Sequence, residues 1–387
     1  MKTNWQTKKL GDIFQIERGG SPRPIEKFLT TDEDGINWIK IGDTKKVTKY
    51  IYKTEEKIKP SGLKKTRLVH DGDFILSNSM SFGRPYIMKT TGAIHDGWLV
   101  LREKLNGINK DFFYYLLGSP LVFNQFNQLA AGSTVRNLNT KLVSNVEVSF
   151  PSLDEQKQVV KKLEKIFKKL MSAKEDAEKN LQNSKELLES YLQSVFAKPN
   201  KDWEEKMLGE VCEYEKIPNR NQELPYVGLE DVQSQTGKLI KPPTPKKVKS
   251  LTFHFTNEHV LYGRLRPYLN KVLLPDFEGH CSTEIFPIKA KKDILDRGFL
   301  FQWLISKETM KKINATWTGA TLPRANMNTV LEFKINIPPI KEQKVIVKKL
   351  EALSVETKKI EKIYEQKLSN LEELKKSILN KAFVGEL

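Results

Sequence analysis

Pro151-Ser152-Leu153-Asp154-Glu155-Gln156-Lys157 and, 187 places later, Pro338-Pro339-Ile340-Lys341-Glu342-Gln343-Lys344 are two versions of one stretch. The same offset lays Val160-Lys161-Lys162-Leu163-Glu164 on Val347-Lys348-Lys349-Leu350-Glu351. At the far end it lays Leu192 and Phe196 on Leu379 and Phe383. An offset that survives this far without a gap is what a helix of fixed length requires. Self-similarity at one period decides the architecture before any single motif is read.

Both stretches open long helices. In the first, Val160, Leu163, Phe167, Leu170, Lys174, Ala177, Leu181, Ser184, Leu188, Tyr191 and Val195 recur at alternating spacings of three and four. That is a heptad seam with two polar interruptions. No Gly or Pro occurs between Ser152 and Ala197. In the second, Ile346, Leu350, Leu353, Thr357, Ile360, Tyr364, Leu371, Leu374 and Ile378 form a similar stripe. At ~1.5 Å rise per residue each helix is roughly 65 Å long. An apolar stripe of that length needs a cover, and the other copy is the available partner. The two helices are therefore expected to form an antiparallel coiled coil. The competing picture, two unrelated helices each lying on its own domain, leaves their common length without a reason.

Upstream the repeat is looser. Trp5 and Leu10-Gly11-Asp12 correspond to Trp203 and Leu208-Gly209-Glu210 at an offset of 198. Gly132-Ser133-Thr134-Val135-Arg136 resembles Gly319-Ala320-Thr321-Leu322-Pro323-Arg324, with a two-residue insertion expected before Leu138-Asn139 and Met327-Asn328. The chain thus reads as one variable globular segment and one rigid segment, twice over. The segments are 1–150, 151–198, 199–338 and 339–387. The globular segments hold turn formers between β-branched and aromatic runs, such as Gly35 to Ile41, Asp73-Phe74-Ile75-Leu76 and His259-Val260-Leu261-Tyr262. Short helices are expected over 112–126 and 298–305. The fold class is mixed α+β: two globular α/β domains joined by two long helices, with a pseudo-twofold internal repeat.

Lys and Arg outnumber Asp and Glu by 65 to 48, a net charge of +17. Residues 1–150 carry +8 of it and residues 199–338 carry +4, while the helical segments carry +2 and +3. The excess lies mostly on the globular parts and suits a polyanion. The near-balanced helices look like solvated coiled-coil flanks. Two cysteines, Cys212 and Cys281, cannot build a disulfide scaffold or a four-thiolate zinc site. No apolar run reaches the ~18 residues of a membrane span, and Met1 to Leu10 lacks the apolar middle of a secretion signal. A cytoplasmic protein is expected.

Catalytic chemistry finds no foothold. Gly92 to Gly97 lacks the Lys-Ser/Thr of a phosphate loop. Pro242-Pro243 and Pro338-Pro339 have the wrong neighbours for the Asn/Asp-Pro-Pro-Tyr/Phe element that holds a flipped adenine. Glu155-Gln156-Lys157 and Glu342-Gln343-Lys344 mimic half of a nuclease metal site. Their place in the first turn of a helix makes capping the better role. Histidines 70, 95, 254, 259 and 280 show no metal-ligand spacing. His280 beside Cys281 is a weak pair that packing explains. The chain reads as a binding module with no metal site and no catalytic residues.

If each globular domain reads one short DNA element, an antiparallel helix pair sets the two readers at opposite ends of a spacer. The target is then bipartite, and unlike domains make it asymmetric. This order of parts resembles the specificity subunits of type I restriction–modification systems across the whole chain. The second domain carries Val260-Leu261-Tyr262-Gly263-Arg264-Leu265-Arg266-Pro267-Tyr268-Leu269-Asn270-Lys271-Val272 and Gly279-His280-Cys281-Ser282-Thr283-Glu284. The first carries a weaker version in Gly72 to Ser77 and Gly83-Arg84-Pro85-Tyr86-Ile87. Gly319-Ala320-Thr321 through Pro338-Pro339 and Glu342-Gln343 completes the pattern, echoed from Gly132 to Glu155-Gln156.

The resemblance implies a non-catalytic subunit with two target recognition domains that binds double-stranded DNA. It implies two modification (methyltransferase) subunits, which bring S-adenosylmethionine and methylate adenine N6, docked on the helices. Two restriction subunits would add ATP- and Mg-dependent cleavage. Within that family an orphan copy or a member of a two-chain system is an alternative, and outside it a coiled-coil scaffold without DNA specificity. Phosphates call for Lys, Arg and hydroxyls, and base edges for Arg, Asn and Gln. The candidate DNA contacts are Lys45, Lys46, Asn78, Ser79, Arg84, Tyr86 and Arg136 in the first domain. In the second they are Lys246, Lys247, Arg264, Arg266, Tyr268, Lys271 and Arg324. Trp98 and Trp317 are assigned to the core.

Overall fold

Phe74–Ser77 and Trp98–Glu103 alternate between two different cores, so both faces of their sheet are covered and the strands read as unbroken apolar runs. The computed structural model describes all residues except 1–4, 46, 79–81, 106, 131–136, 198–199 and 318–320. It divides into two units, Met1–Asp176 with Lys367–Leu387, and Ala177–Gln366.

In the first unit one sheet runs in the order Phe14–Arg18, Trp98–Glu103, Phe74–Ser77, Pro85–Met88, Tyr50–Ile51. A second sheet runs Leu29–Thr30, Glu56–Ile58, Ile36–Ile39, Gly92–Ile94, Arg67–Val69. Phe74, Leu76, Leu99 and Leu101 pack towards the helices Lys110–Leu117 and Pro120–Ala130. Ile75, Tyr86, Trp98 and Val100 pack the other way, against Ile39, Val69 and Ile94 of the second sheet. The unit is thus layered helices, sheet, sheet. The single helix expected over 112–126 is two, broken at Gly118-Ser119.

The second unit repeats the plan with fewer strands. Its main sheet is Cys212–Tyr214, Ile285–Ala290, His259–Gly263, Val272–Leu273, all antiparallel. The smaller sheet places Gly279–Ser282 parallel to Tyr226–Val227 and antiparallel to Thr252–Phe255. Gly92–Ile94 is paired in the same mixed way in the first unit.

The duplicated stretch has a structural job in each unit. Gln156 and Gln343 are buried, at 1% and 0% exposure. Gln343 Oε1 accepts the Asp296 amide at 2.7 Å, and its Nε2 donates to the carbonyls of Ile294 and Pro338, both at 2.8 Å. Gln156 Oε1 accepts the Asn109 amide at 2.9 Å, and its Nε2 donates to Pro151 O at 2.9 Å. Asn109 and Asp296 are themselves N-caps, accepting from the amides of Phe112 and Phe299. Each glutamine therefore ties the start of a long helix to the start of a short one. The neighbouring Glu155 and Glu342 accept the indole N–H groups of Trp5 (3.4 Å) and Trp203 (3.2 Å). These carboxylates lie in a first turn, where a helix favours them, and each also holds an aromatic anchor.

Asn139 and Asn326 cap the helices Thr140–Ser144 and Met327–Leu331. Their separation is again 187, so the two-residue insertion read from sequence is absent there and Arg136 aligns with Pro323.

The two long helices are Leu153–Ala197 and Ile340–Phe383. Within the first unit their segments run in opposite directions. Lys162 Nζ donates to Leu387 O at 3.1 Å, Lys174 pairs with Glu372 at 2.9 Å, and Lys375 lies over the Phe167 ring. Phe383 meets Phe112 edge-on at 5.3 Å, beside Trp5 at 6.4 Å. In the second unit Leu188, Tyr191, Leu192, Val195 and Phe196 pack on the core that holds Ile346, Val347 and Leu350. There Phe196 meets Phe299 at 5.4 Å, beside Trp203 at 6.2 Å. The same three-ring anchor closes each unit, and in each the third ring comes from the helix that starts in the other.

The seam of the first helix is covered or half-covered at Val160, Leu163, Phe167, Leu170, Lys174, Ala177, Leu181, Ser184, Leu188, Tyr191 and Val195, in steps of three and four. Ser184 and Thr357 are buried and return their hydroxyls to the carbonyls of Asn180 and Leu353, each at 2.9 Å. On the second helix Ile346, Leu350, Leu353, Tyr364, Leu371 and Ile378 are covered, but Ile360 and Leu374 are exposed. Two successive steps of four, Leu353 to Thr357 to Glu361, shift the stripe by one residue, a local departure from the heptad. No helix among the described residues is long and apolar enough to cross a membrane.

Candidate nucleic-acid interface

The most ordered cluster of candidate residues lies at the end of His259–Gly263 in the second unit. Arg264 leaves that strand with its backbone N–H on Glu284 O, and Ala325 N–H donates to Arg264 O. Leu265 bridges to Arg324. The main chain thus brings Arg264, Glu284 and Arg324 together from three segments. Glu284 accepts Arg264 Nε at 3.0 Å, and Arg324 Nε and a terminal nitrogen at 3.0 and 2.8 Å. The Arg264 guanidinium also sits 5.2 Å above the Phe286 ring. Burial works to raise the Glu284 pKa. The Arg324 hydrogen bonds and the Arg264 charge outweigh it and hold the carboxyl below its ordinary value. Glu284 is therefore ionised at neutral pH, and two of the candidate arginines are spent on one carboxylate.

The clamp supports the next turn. Arg266 and Asn270 both adopt left-handed backbone, with φ of 51° and 43°, on either side of the short turn Pro267–Leu269. Positive φ in non-glycine residues is strained, and surrounding contacts must hold it. Those contacts are Arg266 N–H to Pro323 O at 2.7 Å and the buried Asn270 Nδ2 to Ile305 O at 2.8 Å. The turn projects Arg266, exposed and with no side-chain partner among the described residues, and Tyr268, 42% exposed. Tyr268 meets Trp317 at 6.1 Å with the rings nearly perpendicular, and Trp317 is 47% exposed. Trp317 is thus a surface residue and not core, whereas Trp98 is fully buried. Sequence offered little to separate the two tryptophans, because the cue is the turn that meets Trp317 from fifty residues away.

The other second-unit candidates are scattered. Lys271 Nζ donates to Leu229 O at 2.6 Å. Lys246 is exposed over the Tyr226 ring and 4.0 Å from Glu230, and Lys247 is 3.8 Å from Glu223. Exposed pairs of that length hold a lysine only weakly.

In the first unit Lys45 and Arg84 are exposed, while Lys46, Ser79 and Arg136 lie outside the described residues. Asn78 and Tyr86 do not reach the surface. Tyr86 is in the core against Trp98 at 5.7 Å, because Pro85–Met88 continues as a strand, whereas Pro267–Leu269 turns. Asn78 is fully buried, donates Nδ2 to Asp96 O at 2.8 Å, and is bonded through its backbone to Gly97 and Leu138. Those backbone bonds match the ones Arg264 makes to Glu284 and Ala325. Where the second unit has its Arg-Glu-Arg clamp, the first has Asn78, Gly97 and Asn137.

Outside this region, Lys49 pairs with Asp111 at 2.7 Å and Glu164 at 3.7 Å among the rings of Tyr50, Tyr114 and Tyr115. This fixes the long helix to its domain. His280 and Cys281, neighbours on a strand, face opposite sides and cannot share one ion. Burial pushes the Cys281 thiol well above its ordinary range and lowers His280. The described residues hold no cluster of three or more potential metal ligands.

Replacing Arg266 by Ala is expected to weaken or relax recognition of one half of a bipartite site by ~1–3 kcal/mol and leave the other half intact. An unaltered recognition profile would remove Arg266 from the interface.

Residues 2–180 and 200–370 each match the family model described as the type I restriction modification DNA specificity domain. The chain is 26% identical to the EcoDI type I specificity subunit of Escherichia coli, over 72% of this chain and 70% of that protein. It is 25% identical to the putative MjaX specificity subunit of Methanocaldococcus jannaschii, over 99% of this chain and 94% of that one. Among solved structures it superposes along its whole length, at 18% identity and a TM-score of 0.79, on a chain of a type I restriction–modification assembly. The HsdS subunit of Thermoanaerobacter tengcongensis is similar in fold, with a TM-score of 0.62 at 18% identity. With two matched domains that cover most of its length, the chain belongs to the type I restriction–modification DNA specificity family and is a non-catalytic, DNA-recognising specificity subunit.

Proposed function

We propose that the two domains read two unlike half-elements of one bipartite DNA site, and that the long helices set the spacing between them. The supporting observation is a shared frame with different tips. The glutamine ties, indole anchors and strand pairings recur in both units, whereas the support under the candidate surface is the Arg264-Glu284-Arg324 clamp in one and the buried Asn78 with Gly97 and Asn137 in the other, so that Tyr268 projects with Arg266 from a turn where Tyr86 packs inside. A common frame sets a common pose, and different tips select different bases.

In this reading the helices also dock two modification subunits, which supply S-adenosylmethionine and methylate adenine N6 in each half-element. Two restriction subunits, with ATP and Mg, would complete a nuclease that works in the cytoplasm on unmodified DNA. This chain's part is to bind, position and space.

The test is adenine methylome sequencing of cells that carry the complex. Two different elements separated by unread bases are expected. Deletion of one helical turn from residues 174–181 should change the number of unread bases and neither element. A changed or lost half-element in that variant would count against the spacing role, and a single continuous or palindromic motif in the parent would overturn the bipartite reading.

A further inference from the structure

Trp317 and Tyr268 form an exposed aromatic patch, at 47% and 42% exposure, beside the turn that carries Arg266. The patch is held from beneath. Asn326 N–H donates to Thr316 Oγ1 at 3.3 Å, Arg266 N–H to Pro323 O at 2.7 Å, and Leu265 is bridged to Arg324, which Glu284 grips. A tryptophan edge-on to a tyrosine ordinarily serves a core, and leaving both half in water forgoes their burial. Here two strained backbone positions, Arg266 and the buried Asn270, hold the turn that keeps Tyr268 outside against Trp317.

We propose that Trp317 and Tyr268 form the apolar reader of the second half-element, packing against the C5-methyl of a thymine next to the base that Arg266 contacts. The proposal rests on the DNA reading above and specifies its chemistry. Base-pair edges in the major groove offer hydrogen-bonding groups and one apolar group, the thymine methyl. A guanidinium fork beside an aromatic surface matches a guanine edge beside a thymine. At the matching repeat positions the described first unit has no counterpart. Trp317 falls on Ala130 at the repeat offset, and the tyrosine of the first Arg-Pro-Tyr is in the core. The methyl requirement therefore belongs to one half-element only.

The test uses the complex isolated on the tagged full-length chain, selected against a randomised duplex library as parent, Trp317→Ala and Trp317→Phe. The parent motif is expected to contain a thymine in the second element, where replacement by uracil weakens binding about fourfold, the worth of one buried methyl. Trp317→Ala should lose both the preference and the uracil effect there, with the first element unchanged. Trp317→Phe should keep both. A Trp317→Ala motif identical to the parent's, with the same uracil sensitivity, overturns the proposal. So does a parent motif whose second element tolerates uracil everywhere, a readout that needs no variant to fold. A parent complex that enriches no motif would instead overturn the DNA reading itself.

Discussion

Gln343→Ala is expected to destabilise the second unit by about 3–5 kcal/mol, because it strips partners from three backbone groups at once, one buried and two partly buried. The side chain satisfies Asp296 N–H and the carbonyls of Ile294 and Pro338, and no water can reach it at zero exposure. Asp296 is also the cap of Arg297–Ile305, so the loss spreads to a second helix. Gln156→Ala removes two such bonds and is expected to cost the first unit less, about 2–4 kcal/mol. Denaturant titration followed by hydrogen exchange, with peptides assigned to each unit, separates the effects. A Gln343→Ala protein within ~1 kcal/mol of the parent would mean that the tie is dispensable.

Phe383→Ala is the second large effect, about 3–5 kcal/mol from the first unit. The ring is 3% exposed and closes the cluster around Phe112 and Trp5, so its removal leaves a cavity against two rigid aromatics. Because the residue lies on the helix that starts in the second unit, a protection map should show the damage far from that start. Loss of protection in Lys110–Leu117 with Arg297–Ile305 unaffected is the expected pattern. Equal loss in both helices would argue against a local anchor.

The frame was legible in the sequence because it is periodic. A seam at steps of three and four, free of Gly and Pro, has one regular solution, and a duplicated capping stretch marks where it starts. The second helix strays where the pattern itself is ambiguous. After Thr357 the stripe can pass through Ile360 or Glu361, and hydrophobicity favours the residue the fold leaves exposed. The buried glutamines were visible as repeated letters, but not as ties, because the capping residues whose amides they hold, Asn109 and Asp296, lie 47 residues away and are bound through backbone atoms.

The site was harder to read. Arg-Pro-Tyr is the same tripeptide at 84–86 and 266–268, yet in one place it enters a strand with Tyr86 inside and in the other it turns with Tyr268 outside. Nothing within three residues decides between them. Neighbours at a distance do, namely Pro323, Ile305 and the Glu284 clamp.

The three-ring anchors have a consequence for synthesis. Trp5 and Phe112 leave the ribosome early, but their third ring, Phe383, follows Phe112 by roughly 270 residues, on the order of 15–50 s at ~5–20 residues per second. During that interval the nascent first domain carries an open aromatic socket, while the second domain, whose plug Phe196 precedes it, can close as soon as it emerges. The domain made first is thus the one finished last, and chaperone capture or proteolytic loss should concentrate there.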